Sequence, residues 1–174
     1  MDMQDSQLIR APREMVWAGL NDIEVLKACI PGCDSIEKLS DTEMEARVTL
    51  KIGPVKASFS GRVTFSNIDP PNGYTISGEG QGGVAGHARG GADVRLEADG
   101  ENTMLHYTVR AEVGGKIAQL GARLIDGTAK KLAGEFFETF SEVLAPSEEG
   151  QENAGEEPAE GDEKKGKWWK FGKS

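Results

Sequence analysis

From Met44 to about residue 113 the chain changes character every second residue, and this alternation constrains the fold more than any other feature. Met44, Ala46, Val48, Leu50 and Ile52 alternate with Glu43, Glu45, Arg47, Thr49 and Lys51. After the turn Gly53-Pro54, Val55, Ala57, Phe59, Gly61, Val63 and Phe65 alternate with Lys56, Ser58, Ser60, Arg62, Thr64 and Ser66. A period of two with one apolar parity is the pattern of antiparallel strands that have one wet and one dry face. Asp69-Pro70-Pro71-Asn72-Gly73 is a second turn, and further strands are predicted near 74–81, 86–98 and 103–113.

Helical signals bracket this run. Residues 3–10 read as a short strand. A helix then opens at Ala11-Pro12-Arg13-Glu14, and a second, Ile23 to Ile30, is capped by Asn21-Asp22 and stopped by Pro31-Gly32. At the far end Ile117, Leu120, Leu124, Thr128, Leu132, Phe136, Phe140 and Val143 recur in steps of three and four, predicting a long helix from about 116 to 144 with Gly121, Gly127 and Gly134 inside it. Strand, two short helices, a run of strands and one long helix imply an α+β fold, a curved antiparallel sheet wrapped around the C-terminal helix.

The dry face of the sheet carries the most functional information. By strand parity it presents Ala46, Ala57, Gly61, Gly78, Gly80, Gly86, Ala88, Gly90 and Ala92, beside Phe59, Val63, Phe65, Tyr74, Ile76, Val94, Leu96, Leu105, Tyr107 and Val109. So many small residues leave two outcomes. Either the helix sits close on the sheet, with the glycines serving strand curvature, or a gap remains for an apolar guest. The candidate ligand contacts are Phe59, Val63, Phe65, Tyr74, Ile76, Leu96, Leu105, Tyr107, Leu120, Leu124 and Phe136. No acid or base falls on this face.

The same parity disfavours catalysis. His87 and His106, the only histidines, both point to solvent, so neither reaches a substrate proton in the presumed pocket. No Ser or Cys nucleophile stands beside a base. Cys29 and Cys33, the only cysteines, read as small cytosolic thiols, since no finger or ribbon spacing accompanies them. Gly78-Glu79-Gly80-Gln81-Gly82-Gly83 matches G-x-G-x-x-G literally. The residues after it alternate like another strand, whereas a dinucleotide site needs a helix there. The motif reads instead as a mobile glycine-rich hairpin at a cavity mouth.

Charge divides the chain once more. Of 20 bases and 29 acids, eight carboxylates and no base lie in 148–163, and five lysines and no acid in 164–174, leaving 15 bases and 21 acids on residues 1–147. An acidic body offers nucleic acid no basic face. The chain therefore divides into a ligand-binding domain (1–144), an acidic disordered linker (145–163) and a basic-aromatic tail (164–174). As a flexible coil the linker spans about 25 Å. In the tail Lys164, Lys165, Lys167, Lys170 and Lys173 surround Trp168, Trp169 and Phe171, a composition suited to an anionic bilayer interface. Alternatively this end folds back on the acidic linker or docks a partner. With no apolar signal stretch at Met1-Asp2-Met3-Gln4-Asp5 and no apolar run of about 20 residues, the expected location is cytoplasmic, peripheral to the inner face of the cell membrane.

Several local motifs carry a resemblance: Ala11-Pro12 with Val16-Trp17, Cys29-Ile30-Pro31-Gly32-Cys33, Lys51-Ile52-Gly53-Pro54-Val55-Lys56-Ala57, Gly78-Glu79-Gly80 with Gly82-Gly83, Ala85-Gly86, and Val113 through Gly121. Over residues 1–144 the chain resembles the G-subunit family of carbon monoxide dehydrogenase, within the helix-grip superfamily of polyketide cyclase and START-like domains. His87 departs from the aromatic, such as Phe, expected at its position. The resemblance implies a helix-grip fold with a hydrophobic cavity and a molybdenum hydroxylase partner of the carbon monoxide dehydrogenase type. It also implies membrane association in electron transport, with a respiratory quinone as non-covalent guest and no covalent cofactor or metal in this chain. The competing expectations are a membrane adaptor without cargo and a cyclase- or hydrolase-type enzyme.

Overall fold

A computed structural model describes residues 1–144. The chain runs β1 (Asp2–Ile9), α1 (Arg13–Leu20), α2 (Ile23–Cys29), β2 (Cys33–Lys38), β3 (Glu43–Ile52), β4 (Val55–Asp69) and β5 (Gly73–Gln81). A 3-10 turn (Gly83–Ala85), β6 (His87–Asp99), β7 (Asn102–Gly114), a second 3-10 segment (Gly115–Leu120) and α3 (Ala122–Leu144) complete it. The seven strands form one antiparallel sheet in the order β1-β7-β6-β5-β4-β3-β2. Every neighbour but β1–β7 is a hairpin partner. With α3 lying on the dry face, this is the helix-grip arrangement. The acidic linker and the basic-aromatic tail lie outside the described residues.

Local chemistry explains the two short helices. Asp22 caps α2, its side chain accepting from the Glu24 amide at 2.9 Å, while Pro12 precedes the first residue of α1. Thr103, fully buried, donates to the Ala11 carbonyl at 2.8 Å and ties the β1–α1 corner to β7. A Cβ on Gly19 would lie 3.2 Å from both Phe140 and Leu144, so α1 approaches α3 closely there. The core at this junction contains Ile9, Val16, Leu20, Cys29, Leu96, Leu105 and Phe140.

Three expectations need correction. The final helix starts at Ala122, because Gly121 takes φ +98° and separates it from the 3-10 segment that holds Ile117 and Leu120. Only Gly127 and Gly134 therefore lie inside α3. The strand β2 had no sequence counterpart; it is an edge strand whose residues are mostly exposed, with Ile36 as its one inward apolar side chain. The hairpin at Gly82–Gly86, expected at a cavity mouth, makes backbone bonds from Gly82 to Gly86, Ala85 to Gly82 and Gly86 to Gly83, at 2.8, 3.1 and 3.1 Å, and none of its residues lines the apolar cavity between the sheet and the helices.

The sheet glycines allow close approach of neighbouring backbones. A Cβ on Gly90 would meet the Arg110 carbonyl oxygen at 2.1 Å and the Ala111 Cα at 2.8 Å, both backbone atoms that cannot step aside.

Candidate ligand cavity

A cavity of about 310 Å³ lies between the sheet and the three helices, with Leu20, Leu26 and Ile30 in its wall beside the sheet and α3 residues. That lies at the lower end of the roughly 300–1,000 Å³ range of small-molecule sites. Nineteen residues line it, none of them Asp, Glu, Lys, Arg or His. Close backbone approach at the glycines and an apolar gap thus occur in the same sheet.

The walls are aromatic. Phe65 stacks on Tyr74 at 5.0 Å between ring centroids, and Trp17 tilts against Tyr74 at 5.2 Å. A second cluster joins β7 to α3, with Tyr107 stacked on Phe137 at 5.2 Å and Phe136 edge-on to Phe137 at 5.1 Å. Such walls present flat apolar faces to a guest. The cavity surface itself is apolar, and neither tyrosine hydroxyl is presented to it. Tyr74 Oη donates to the Leu20 carbonyl at 3.1 Å, and burial pushes its pKa up. Tyr107 is also raised, by burial first and by the Asp5 carboxylate second, while a hydrogen bond with Gln7 partly offsets the shift.

Of the eleven expected contacts, Val63, Phe65, Tyr74, Ile76, Leu105, Tyr107 and Phe136 line this cavity. Four do not. Leu96 is buried in the core beside it. Phe59 lies under the glycine hairpin, where a Cβ on Gly82 would touch its ring at 2.4 Å. Leu120 and Leu124 face a separate open groove of about 740 Å³, bounded by Pro31, Leu50, Gly53 and Lys131. Leu120 belongs to the 3-10 segment before the Gly121 break, and helical drift explains Leu124. Steps of four residues advance about 40° beyond a full turn, so Leu124 and Phe140 end roughly 160° apart around α3. The residues that face inward are Ala133, Phe136 and Phe137, with Phe140 and Leu144 packed on the core and Val143 exposed. Phe137 was missed for this reason; tracking Ala133, Phe137 and Phe140 by angle would have found it.

The histidines point outward, as parity predicted. His106 bonds Ser6 Oγ through Nδ1 at 2.7 Å and Glu97 Oε1 through Nε2 at 3.0 Å on the wet face, and His87 is exposed. Among the described residues no group of three or more His, Cys, Asp or Glu is placed to hold a metal ion, and no helix is long and apolar enough to cross a membrane. Cys29 is a buried thiol whose pKa is pushed up from 9.0 to about 12 by desolvation.

That shift has a pH signature. Between pH 9 and 12 the unfolded chain releases the Cys29 proton and the folded chain keeps it. Stability from this group is therefore complete below pH 9 and falls by about 1.4 kcal/mol per pH unit as pH rises towards 12. Tyr74, also raised, adds to the decline at higher pH. Urea melts at pH 8, 10 and 11 are expected to show the loss, with a shallower slope for Cys29→Ala; an unchanged slope would remove the thiol from this role.

Residues 6–145 match the profile of the CoxG family, the G subunit of carbon monoxide dehydrogenase. The chain belongs to that family. Among solved structures, a conserved protein from Geobacillus kaustophilus is 32% identical, with a TM-score of 0.80 over 84% of this chain and 97% of that one. A START superfamily protein from Mycobacterium smegmatis matches at 11% identity and TM-score 0.63, covering 83% and 97% of the two chains. The Zhui aromatase/cyclase from Streptomyces sp. R1128 matches at 13% and 0.62, covering 84% and 94%. The last two show a shared fold. No curated protein matches the chain. This CoxG family member accordingly has the START-like helix-grip architecture that the sequence resemblance implied.

Proposed function

We propose that this CoxG family protein is a non-catalytic carrier of a lipophilic ring compound, a respiratory quinone by family analogy. It serves a molybdenum hydroxylase of the carbon monoxide dehydrogenase type at the membrane. The observation that carries the reading is the cavity: apolar throughout, walled by five aromatic rings, Phe65, Tyr74, Tyr107, Phe136 and Phe137, and lined by no acid or base. A flat quinone head fits aromatic faces and needs few polar partners, in keeping with a cavity surface that is apolar. The volume suits a ring with a short stretch of side chain, so a long isoprenoid tail would extend outside it. The redox centres belong to the partner.

A cyclase- or hydrolase-type reaction is the weaker reading, because proton transfer needs a group at hydrogen-bond distance and the lining supplies only tyrosines with raised pKa values. An adaptor without cargo has no use for the cavity. Donor vesicles loaded with quinone, incubated with the protein and then pelleted, test the carrier directly. Quinone is expected in the supernatant up to about one per chain; none above the protein-free control would reject it. In the same reading the basic-aromatic end holds the protein on lipid. Deleting residues 164–174 is expected to abolish flotation with anionic vesicles while leaving the melting temperature unchanged, and undiminished flotation would reject the tether.

A further inference from the structure

The turns at the two ends of the sheet differ in charge. At one end the β2–β3, β4–β5 and β6–β7 turns hold Asp41, Asp69, Asp99 and Glu101, with Arg10, Arg13 and Lys38 close by. At the other end lie the β3–β4 turn, the Gly82–Gly86 hairpin, the second 3-10 segment and the start of α3. Contacts hold these four together: a Cβ on Gly53 would lie 2.7 Å from Leu124 Cδ2, and one on Gly86 3.2 Å from Ile117 Cγ1. This end carries Lys51, Lys56, Lys116 and Arg123, with Lys131 on the adjoining groove, against the acids Asp34, Asp126 and Glu135.

Folding alone does not favour those positions. Lys51 and Lys56 are directly paired across the β3–β4 hairpin, and like charges directly opposite destabilise a sheet. Arg123 stands in the first turn of α3, which contains no acid, where the helix dipole disfavours a cation. The second half of α3 carries Glu135, Glu138 and Glu142, so apart from Asp126 the helix is charged against its dipole. None of the five bases makes an ion pair within 4.0 Å of a carboxylate among the described residues. Beside them Val84 is 93% exposed at the tip of a hairpin anchored by buried Ala85.

We infer that this end is a second membrane-contact face, built into the folded domain and separate from the C-terminal tail, which seats on anionic lipid headgroups with Val84 dipping into the interface. Charge complementarity selects the occupant: on a domain of net negative charge, the bases gather around an exposed apolar tip, the combination that an anionic bilayer surface binds. A nucleic acid would want bases for the phosphates and exposed aromatics for stacking, and this end shows no exposed aromatic. The inference deepens the carrier reading, because it turns the groove beside α3, with its floor of Leu50, Leu120, Leu124 and Leu132, towards the lipid that supplies the cargo.

The test uses the full chain carrying Cys33→Ser and either Val84→Cys or, at the acidic end, Leu39→Cys, labelled with an environment-sensitive fluorophore. Buried Cys29 stays in place. Vesicles of phosphatidylglycerol with phosphatidylcholine are expected to blue-shift the label at 84 and leave the label at 39 unchanged, whereas phosphatidylcholine alone shifts neither. Each base contributes roughly a five-fold gain in partitioning, so Lys51→Gln, Arg123→Gln and Lys131→Gln together are expected to weaken the response at 84 about 100-fold. Vesicle-bound protein whose label at 84 stays in water overturns the inference, as does a response indifferent to the three bases. A label at 84 shielded before vesicles are added, and freed by the triple variant, would assign the face to the chain's own acidic 148–163 segment instead. Loss of the tail tether with the shift at 84 intact would reject the tail reading and leave this face standing.

Discussion

Ala133→Phe is expected to abolish ligand uptake while leaving the fold as stable as before. Ala133 lies on α3 between Phe136 and Phe137 on the cavity wall, and a phenyl ring there enters space that already exists. In a filled core the same enlargement costs about 1–3 kcal/mol through strained rotamers and backbone shifts. Here the expected change is within about 1 kcal/mol, because the ring replaces void. Quinone transfer from vesicles should fall at least about ten-fold, a difference of roughly 1.4 kcal/mol in binding. Two results would count against this. Unchanged uptake in a stable variant would place the guest elsewhere. A loss of stability near about 3 kcal/mol would mean that the interior has no room.

Phe140→Ala is expected to do the reverse, and to be the more damaging of the two to stability. Phe140 is fully buried where α3, α1 and the sheet meet; its ring stacks on Phe136 at 5.6 Å and nearly touches the backbone of Gly19. It is absent from the cavity lining, so its removal leaves a new void instead of enlarging the site. Truncations of this kind cost about 3–5 kcal/mol. For a domain of this size that corresponds to a drop in melting temperature of roughly 10–15 °C. Thermal unfolding by circular dichroism reads it directly; a drop under about 3 °C would mean that α3 is not fastened to the domain at this point.

These two variants also mark where the sequence was readable. Strand parity needs only a count of two, and an error would move every side chain to the other face. The inward set from Val63 to Val109 therefore came out of the sequence as the sheet presents it. The apolar stripe on the last helix was harder to place. Linking Leu124 to Phe140 through Thr128, Leu132 and Phe136 treats four residues as one turn, and the accumulated rotation places Leu124 on the groove instead of the apolar cavity and hid Phe137. The break at Gly121 was invisible to periodicity because the 3-10 segment before it also carries apolar residues at three-residue steps. β2 offered one inward isoleucine in six residues, too little for any pattern. The cavity itself could not be decided from composition, since glycine and alanine on a sheet fit both close packing and a gap. Only the positions of α1, α2 and α3 over the curved sheet determine which occurs where.

Charge was legible in total but not in place. The sign reversal within the last residues is plain in the sequence. The difference in charge between the turns at the two ends of the sheet requires topology, which brings Lys51, Lys56, Lys116 and Arg123 together from three parts of the chain. That difference gives the carrier reading a direction, with the basic end towards lipid and the acidic turns away from it.

The most direct measurement is native mass spectrometry, with organic extraction, of the full protein isolated from cells that make respiratory quinones. A carrier should hold a lipophilic ring compound at close to one per chain, released by organic solvent and missing from the Ala133→Phe variant. A wild-type protein that arrives at its bare chain mass, with nothing in the extract, would contradict it.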